Sequence, residues 1–236
     1  MISSKDFFFL GDSVMTEIGE ISFIKLRDYP NYVHYLNAIR MSKKEIIREY
    51  EKLNEAENLN ELIIELKRNS LFNIVNHILP DFSEAYHKVF EKIFVDKERL
   101  SEINSNNFNS LRKLVLDMHC LSEEKISTNE EIQEFDDLAK MLKRQDSHND
   151  LKDIVSCVAA FNGYTYSEIA DMTVYQLQLS FYRMAEIMNY NTTTLFATVS
   201  SEAKINDWSK SIDLYKEDSY HLNAKEAKNL EKLFGD

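Results

Sequence analysis

Along most of the chain, apolar residues return every three or four positions, the period of a helix with one buried face. In NYVHYLNAI (31–39) the stripe is Tyr32, Val33, Leu36 and Ile39. MSKKEII then predicts a helix start, with Ser42 as N-cap, Glu45 at N3, and Met41 and Ile46 at the staple positions. That helix is expected to run to about Leu53. Residues 59–79 predict one long amphipathic helix that stops before Pro80, because the residue preceding a proline disfavours the helical region. A new helix follows, with Asp81 as N-cap, Glu84 at N3, and Ala85, Val89, Ile93 and Phe94 facing inward. STNEEIQEFDDLAKMLKR predicts a helix capped by Thr128, with Glu131 at N3, reaching about Arg144. LKDIVSCVAAFNGY predicts another, closed by Gly163. Two capping boxes come next, Thr165 with Glu168 and Thr173 with Gln176, the second flanked by a Met172–Leu177 staple. The helix after Thr173 carries Val174, Leu177, Phe181, Met184 and Met188 on one stripe. Tyr175, Gln178, Tyr182 and Glu186 form a neighbouring, wetter face.

The period shortens to two only near the start. DFFFLGD is a short apolar run closed by Gly-Asp, and GEISFIKLRD alternates around Ile21 and Phe23, with Ile24 and Leu26 on the other face. Residues 5–26 therefore predict a small hairpin, which needs helices to pack on because a lone hairpin is marginal in water. The expected fold is mainly α, a multi-helix bundle with a small N-terminal β-hairpin element. Two polar breaks, NSNNFN (104–109) and QDSHND (145–150), suggest an N-terminal part over 1–104, a C-terminal part over 105–236 and a hinge at 145–150. No repeat of fixed period is visible.

Composition supports the helical reading. Only four glycines and two prolines occur in 236 residues, too few for the tight turns of a sandwich or a doubly wound sheet. A hydrophobic fraction of 44% suffices for a core. The net charge of −12 argues against nucleic acid, since a phosphate backbone would be repelled. The densest basic cluster, Lys140, Lys143 and Arg144, sits where a helix C-terminus favours positive charge. Cys120 and Cys157 lie in apolar surroundings and read as two reduced core thiols. The apolar run Phe7–Leu10 is too short for a signal-peptide core, and no stretch approaches a membrane span. A cytoplasmic protein is expected.

Reactive constellations are scarce. His34, His77, His87, His119, His148 and His221 offer no pair at helical ligand spacing, and the adjacent His119 and Cys120 point about 100° apart on a helix. Neither a glycine-rich phosphate loop nor a nucleophile elbow is present. Asp136 and Asp137 read as solvated charges. No catalytic residue, metal or cofactor is expected. The apolar stripe of the late helix is ordinarily core. Its bordering Tyr175, Gln178 and Tyr182 also suit a groove that accepts another apolar helix.

The C-terminal third carries an ordered pattern: GYTYSEIADMTVYQL (163–177), then QLSFYRMAEI, LFATVS (195–200) and DWSKSIDLY (207–215). Together with the early GEISFIKLRDYPNYVHYLNAIRMSKKEII, it resembles tail assembly chaperones of tailed bacteriophages that infect Gram-positive hosts. The resemblance covers the start of the chain and its C-terminal third and leaves the middle unmatched. It implies a non-catalytic scaffold that coats the tape-measure protein and recruits tail tube subunits. Met172, Tyr175, Leu179, Tyr182 and Met188 become candidate partner contacts, and the same residues are equally able to bury within their own protein. Self-association is compatible with such surfaces. The alternatives are a structural or adaptor protein retained in a phage particle, or a small helical regulator.

Overall fold

Sheet is confined, among the described residues, to one antiparallel hairpin of β1 (Val14–Thr16) and β2 (Gly19–Ile21), with isolated antiparallel bridges pairing Ile21 with Phe94 and Lys25 with Thr173. The computed structural model describes residues 4–57, 59–127, 129–146, 150–200, 205 and 207–215. They fall into two units, one within residues 4–124 and 150–215 and the other within residues 125–146. The protein is mainly helical with a small N-terminal sheet, as its apolar periodicity implies.

The hairpin register places Val14 opposite Ile21 and Thr16 opposite Gly19, whose φ of 130° a side chain would rarely tolerate. Alternation then separates a buried Ile21 from an exposed Met15. The chain after β2 binds two helical regions by backbone hydrogen bonds. Ser22 N donates to Ile93 O at 2.7 Å and Val95 N to Glu20 O at 3.0 Å, while Leu26 N donates to Met172 O and Arg27 N to Ala170 O, both at 2.9 Å.

One expectation fails here. The run Asp6–Leu10 is a 3₁₀ helix, Ser4–Leu10, and not a strand. Short apolar runs do not distinguish the two periods. Phe8 alone turns inward, edge-on to Phe23 and Tyr175 at 5.3 and 5.6 Å, and Phe7, Phe9 and Leu10 stay half exposed. Gly11, at φ 72°, ends the turn.

Helix α1 (Tyr29–Arg40) begins with Pro30 in its first turn and buries Leu36 and Ile39. In α2 (Lys43–Glu57) the box forms as expected, with Glu45 N donating to Ser42 Oγ at 3.2 Å and Ser42 N to Glu45 Oε2 at 3.4 Å. Residues 59–79 do not form one helix. After α3 (Asn60–Arg68) the chain breaks at Asn69, Ser70 caps α4 (Leu71–Asn73), and the helix widens into a π turn over Ile74–Ile78. Ser70 Oγ wins Asn73 N as a donor, which restarts the helix instead of continuing it. Helix α5 (Pro80–Ile93) places Pro80 at its first position, with Leu79 in the cap, so Asp81 is a first-turn residue and not the N-cap. Ala85, Val89, Ile93 and Phe94 are buried as expected. A 3₁₀ turn, Lys97–Glu102, leads to α6 (Phe108–Met118).

Helix α7 (Glu130–Asp146) belongs to the second unit. Asn129 Oδ1 accepts from Glu131 N at 3.0 Å; Thr128, the expected cap, lies outside the described residues. So do 147–149, within the expected hinge. In the first unit α8 (Leu151–Asn162) ends at Gly163, whose φ is 72°. Helices α9 (Tyr166–Ala170) and α10 (Val174–Ala197) follow, and both capping boxes form with reciprocal bonds.

The main core of the first unit joins Phe8, Ile21, Leu36, Val89, Ile93 and Val115 across the 3₁₀ turn, the hairpin and α1, α5 and α6. A second cluster joins Leu26, Val158, Ile169, Val174 and Leu177, and so fixes α8, α9 and the start of α10. Burying each such side chain is worth about 1.5–3 kcal/mol.

Candidate functional site

The residues singled out in sequence fall on or beside α10, where burial fades along the helix. Val174 is 6% exposed and Leu177 is fully buried, while Phe181 and Met184 are half-buried. Met188 is 51% exposed, Leu195 71% and Val199 83%. The apolar stripe thus begins inside the second core cluster and runs out into solvent. Residues 187–200, IMNYNTTTLFATVS, carry no charged side chain, although 29% of the chain is charged. A stretch both apolar and uncharged on the surface marks an interaction site more than a solvated face.

A return segment lies against another side of α10. Arg183 donates to the carbonyl of Trp208, and Lys210 Nζ pairs with Glu186 at 3.1 Å. The segment ends at Tyr215, whose hydroxyl donates to Asp117 O at 3.0 Å and whose ring lies 4.9 Å from Lys5 Nζ.

The five candidate contacts separate into two groups. Met172 and Tyr175 are partly buried against the protein's own cores: Met172 against the second cluster, Tyr175 against Phe8 and the main core. Leu179 is half-buried. Tyr182, edge-on to Phe181 at 5.9 Å, and Met188 are exposed. The structure adds Leu195, Phe196 and Val199 beyond them, and Phe7, Phe9 and Leu10 on the N-terminal turn. The absence of charge over 187–200 is the sequence signal that marks the first three.

The buried polar groups of the first unit are structural in character. Arg112 is buried on α6, and its guanidinium receives the end of α1. Nε donates to Ile39 O at 2.9 Å and Tyr86 Oη at 2.8 Å, Nη2 to Arg40 O and Met41 O at 3.0 Å each, and Nη1 to Glu123. These carbonyls have no helical partner, and a cation at a helix C-terminus also complements the dipole. Burial pushes the Tyr86 hydroxyl up to about 12.

Past α6, His119 is buried and Cys120 takes a left-handed φ of 54°, letting Leu121 N reach Leu116 O at 2.9 Å. Burial, with the Asp117 carboxylate adding to it, pushes the Cys120 thiol up to about 12. Burial also raises Tyr29, Tyr175 and Tyr215. A thiol held protonated is a poor nucleophile and a poor metal ligand. Cys157, expected in the core, is exposed on α8 because it falls away from the buried Val158. Among the described residues no three His, Cys, Asp or Glu side chains come together as metal ligands, and no helix is long and apolar enough to cross a membrane.

These features define a helical protein whose outstanding surface element, among the described residues, is an exposed, charge-free helix end. The chain belongs to the YomV family: the YomV N-terminal domain matches residues 2–128 and the YomV second domain residues 143–213. It is 62% identical over 231 residues to the SPbeta prophage-derived uncharacterized protein YomV of Bacillus subtilis (strain 168), covering 98% of each chain. The family is thereby phage-related. No solved structure matches the chain.

Proposed function

We propose that this protein is a non-catalytic phage assembly factor, a tail assembly chaperone that covers the apolar helices of a tape-measure protein and helps tail tube subunits gather around it. The observation that carries this reading is the uncharged, apolar end of α10, exposed in a member of a family with a prophage-derived relative. A long apolar helical protein aggregates through its surface before a tube encloses it. A helix end rich in Met, Leu, Phe and Val adapts to such a surface, and the net charge of −12 keeps the complex dispersed. Modest affinity per copy, repeated along the partner, gives a coat that is strong yet removable. Tyr182 and Met188 are the contacts expected from the original five, and Met172 and Tyr175 support them from within.

The test is co-expression with the tape-measure protein of the same phage. The soluble fraction of the tape-measure protein should rise and the two should co-purify. An unchanged soluble fraction overturns the proposal. Mass spectrometry of purified virions separates a chaperone, which is absent, from an adaptor that stays in the particle.

A further inference from the structure

Val174, Phe181, Met188 and Leu195 stand seven residues apart along α10, a spacing that drifts only about 20° per step and so makes one narrow apolar seam along the helix. Val174 is buried and Phe181 half-buried against the protein's own side chains, and the last two, with Val199, are exposed. The return segment does not close this seam. At about 100° per residue, its anchors Arg183 and Glu186 lie roughly 120–180° around the helix from Met188 and Leu195.

We propose that the open half of the seam is closed by the same half of a second copy of this chain, in an antiparallel two-fold pair. Two molecules of net charge −12 repel one another wherever charged faces meet, and 187–200 is a stretch where none do. A seam repeating every seven residues is self-complementary, as an isologous interface requires. The antiparallel sense places Met188 of one copy beside Leu195 of the other, with Thr192 close to the two-fold axis. It also keeps the charged parts apart. From Val174 to Thr192 the helix is about 27 Å long, so the two helix starts lie more than 50 Å apart, several Debye lengths at physiological salt. A parallel pair would bring them together.

The area sets the strength. Met188, Leu195, Phe196 and Val199 expose roughly 500 Å² per copy, so the pair buries at most about 1,000 Å², the range of weak, transient interfaces. The dimer is therefore weak and depends on concentration. The dimer uses the same helix end as the phage-assembly reading, so it is the resting state of the purified chain and must open before a tape-measure helix occupies the patch; sedimentation tests the pair and co-expression tests the partner, and either can fail alone.

Sedimentation velocity of the full-length protein from 2 to 200 µM, at pH 7.5, decides it. The weight-average mass should climb from monomer towards dimer. Leu195→Glu and Met188→Glu should each weaken the dimer at least tenfold while leaving the circular dichroism melt in place, since both side chains are exposed. In a Cys157→Ser background, Thr192→Cys should cross-link to itself under mild oxidation, and Leu195→Cys should not. A monomer at every concentration overturns the proposal, as does a dimer indifferent to both Glu variants. Self-cross-linking at 195 in place of 192 overturns the antiparallel arrangement.

Discussion

Replacing His119 with Asn should reduce the protein's loss of stability between pH 7.5 and 5.5 by about 1.3 kcal/mol. The ring is 1% exposed at the end of α6, and its Nδ1 lies 2.7 Å from the carbonyl of Val115. A carbonyl only accepts, so the neutral ring carries its proton there, and Nε2 is left as a buried nitrogen with no partner. Burial therefore lowers the imidazole from 6.5 to about 4, although the Val115 bond favours the charged form. A folded value below the unfolded one means that the unfolded chain takes up the proton first. The stabilisation is complete above pH 6.5 and is lost as pH falls from 6.5 towards 4. Linkage gives a loss of about 1.3 kcal/mol between pH 7.5 and 5.5, within a total of about 3 kcal/mol. Staying above pH 5.5 avoids precipitation near the pI of 5.0. Asn sets its amide N–H where Nδ1 stands, so it keeps the bond to Val115 and does not titrate. Urea unfolding of both proteins at several pH values, followed by far-ultraviolet circular dichroism, isolates the difference, because the remaining titrating groups are shared. Parallel loss of stability in the two proteins would refute the reasoning, as would an imidazole NMR titration that placed His119 near 6.5.

Leu177→Asp buries an unpaired carboxylate in the second core cluster and should cost more than about 4 kcal/mol, seen as loss of a cooperative melt. Arg112→Met should cost about 3–5 kcal/mol in urea titrations, because the end of α1 and the Tyr86 hydroxyl lose their donor together. Thr173→Ala removes the acceptor for Gln176 N and should lower stability by about 1 kcal/mol. Tyr182→Ala should stay under about 1 kcal/mol in the same titration while lowering co-purification of the helical partner. A melt shifted as far as that of Leu177→Asp would make Tyr182 a packing residue.

The features readable from the chain are those whose partners sit a few residues away. The capping boxes at Ser42, Thr165 and Thr173 each close between residues three apart, and Gly163 stops α8 through its own backbone freedom. Helical stripes are local in the same sense, so the buried faces of α1, α5 and early α10 follow from spacing alone. Where local signals compete, spacing was insufficient. Asp6–Leu10 coils because Phe8 finds Phe23 and Tyr175, and 59–79 breaks because Ser70 captures Asn73 N. No local pattern singles out Arg112, because its partners Ile39, Arg40 and Met41 lie about seventy residues away. The same holds for the candidate contacts. One stripe on α10 carries Leu177 and Leu195 alike, and apolar periodicity assigns both to a core. Which of them is covered depends on where Leu26, Val158 and Ile169 come to rest, and those neighbours are gathered by the fold and not by spacing along the helix.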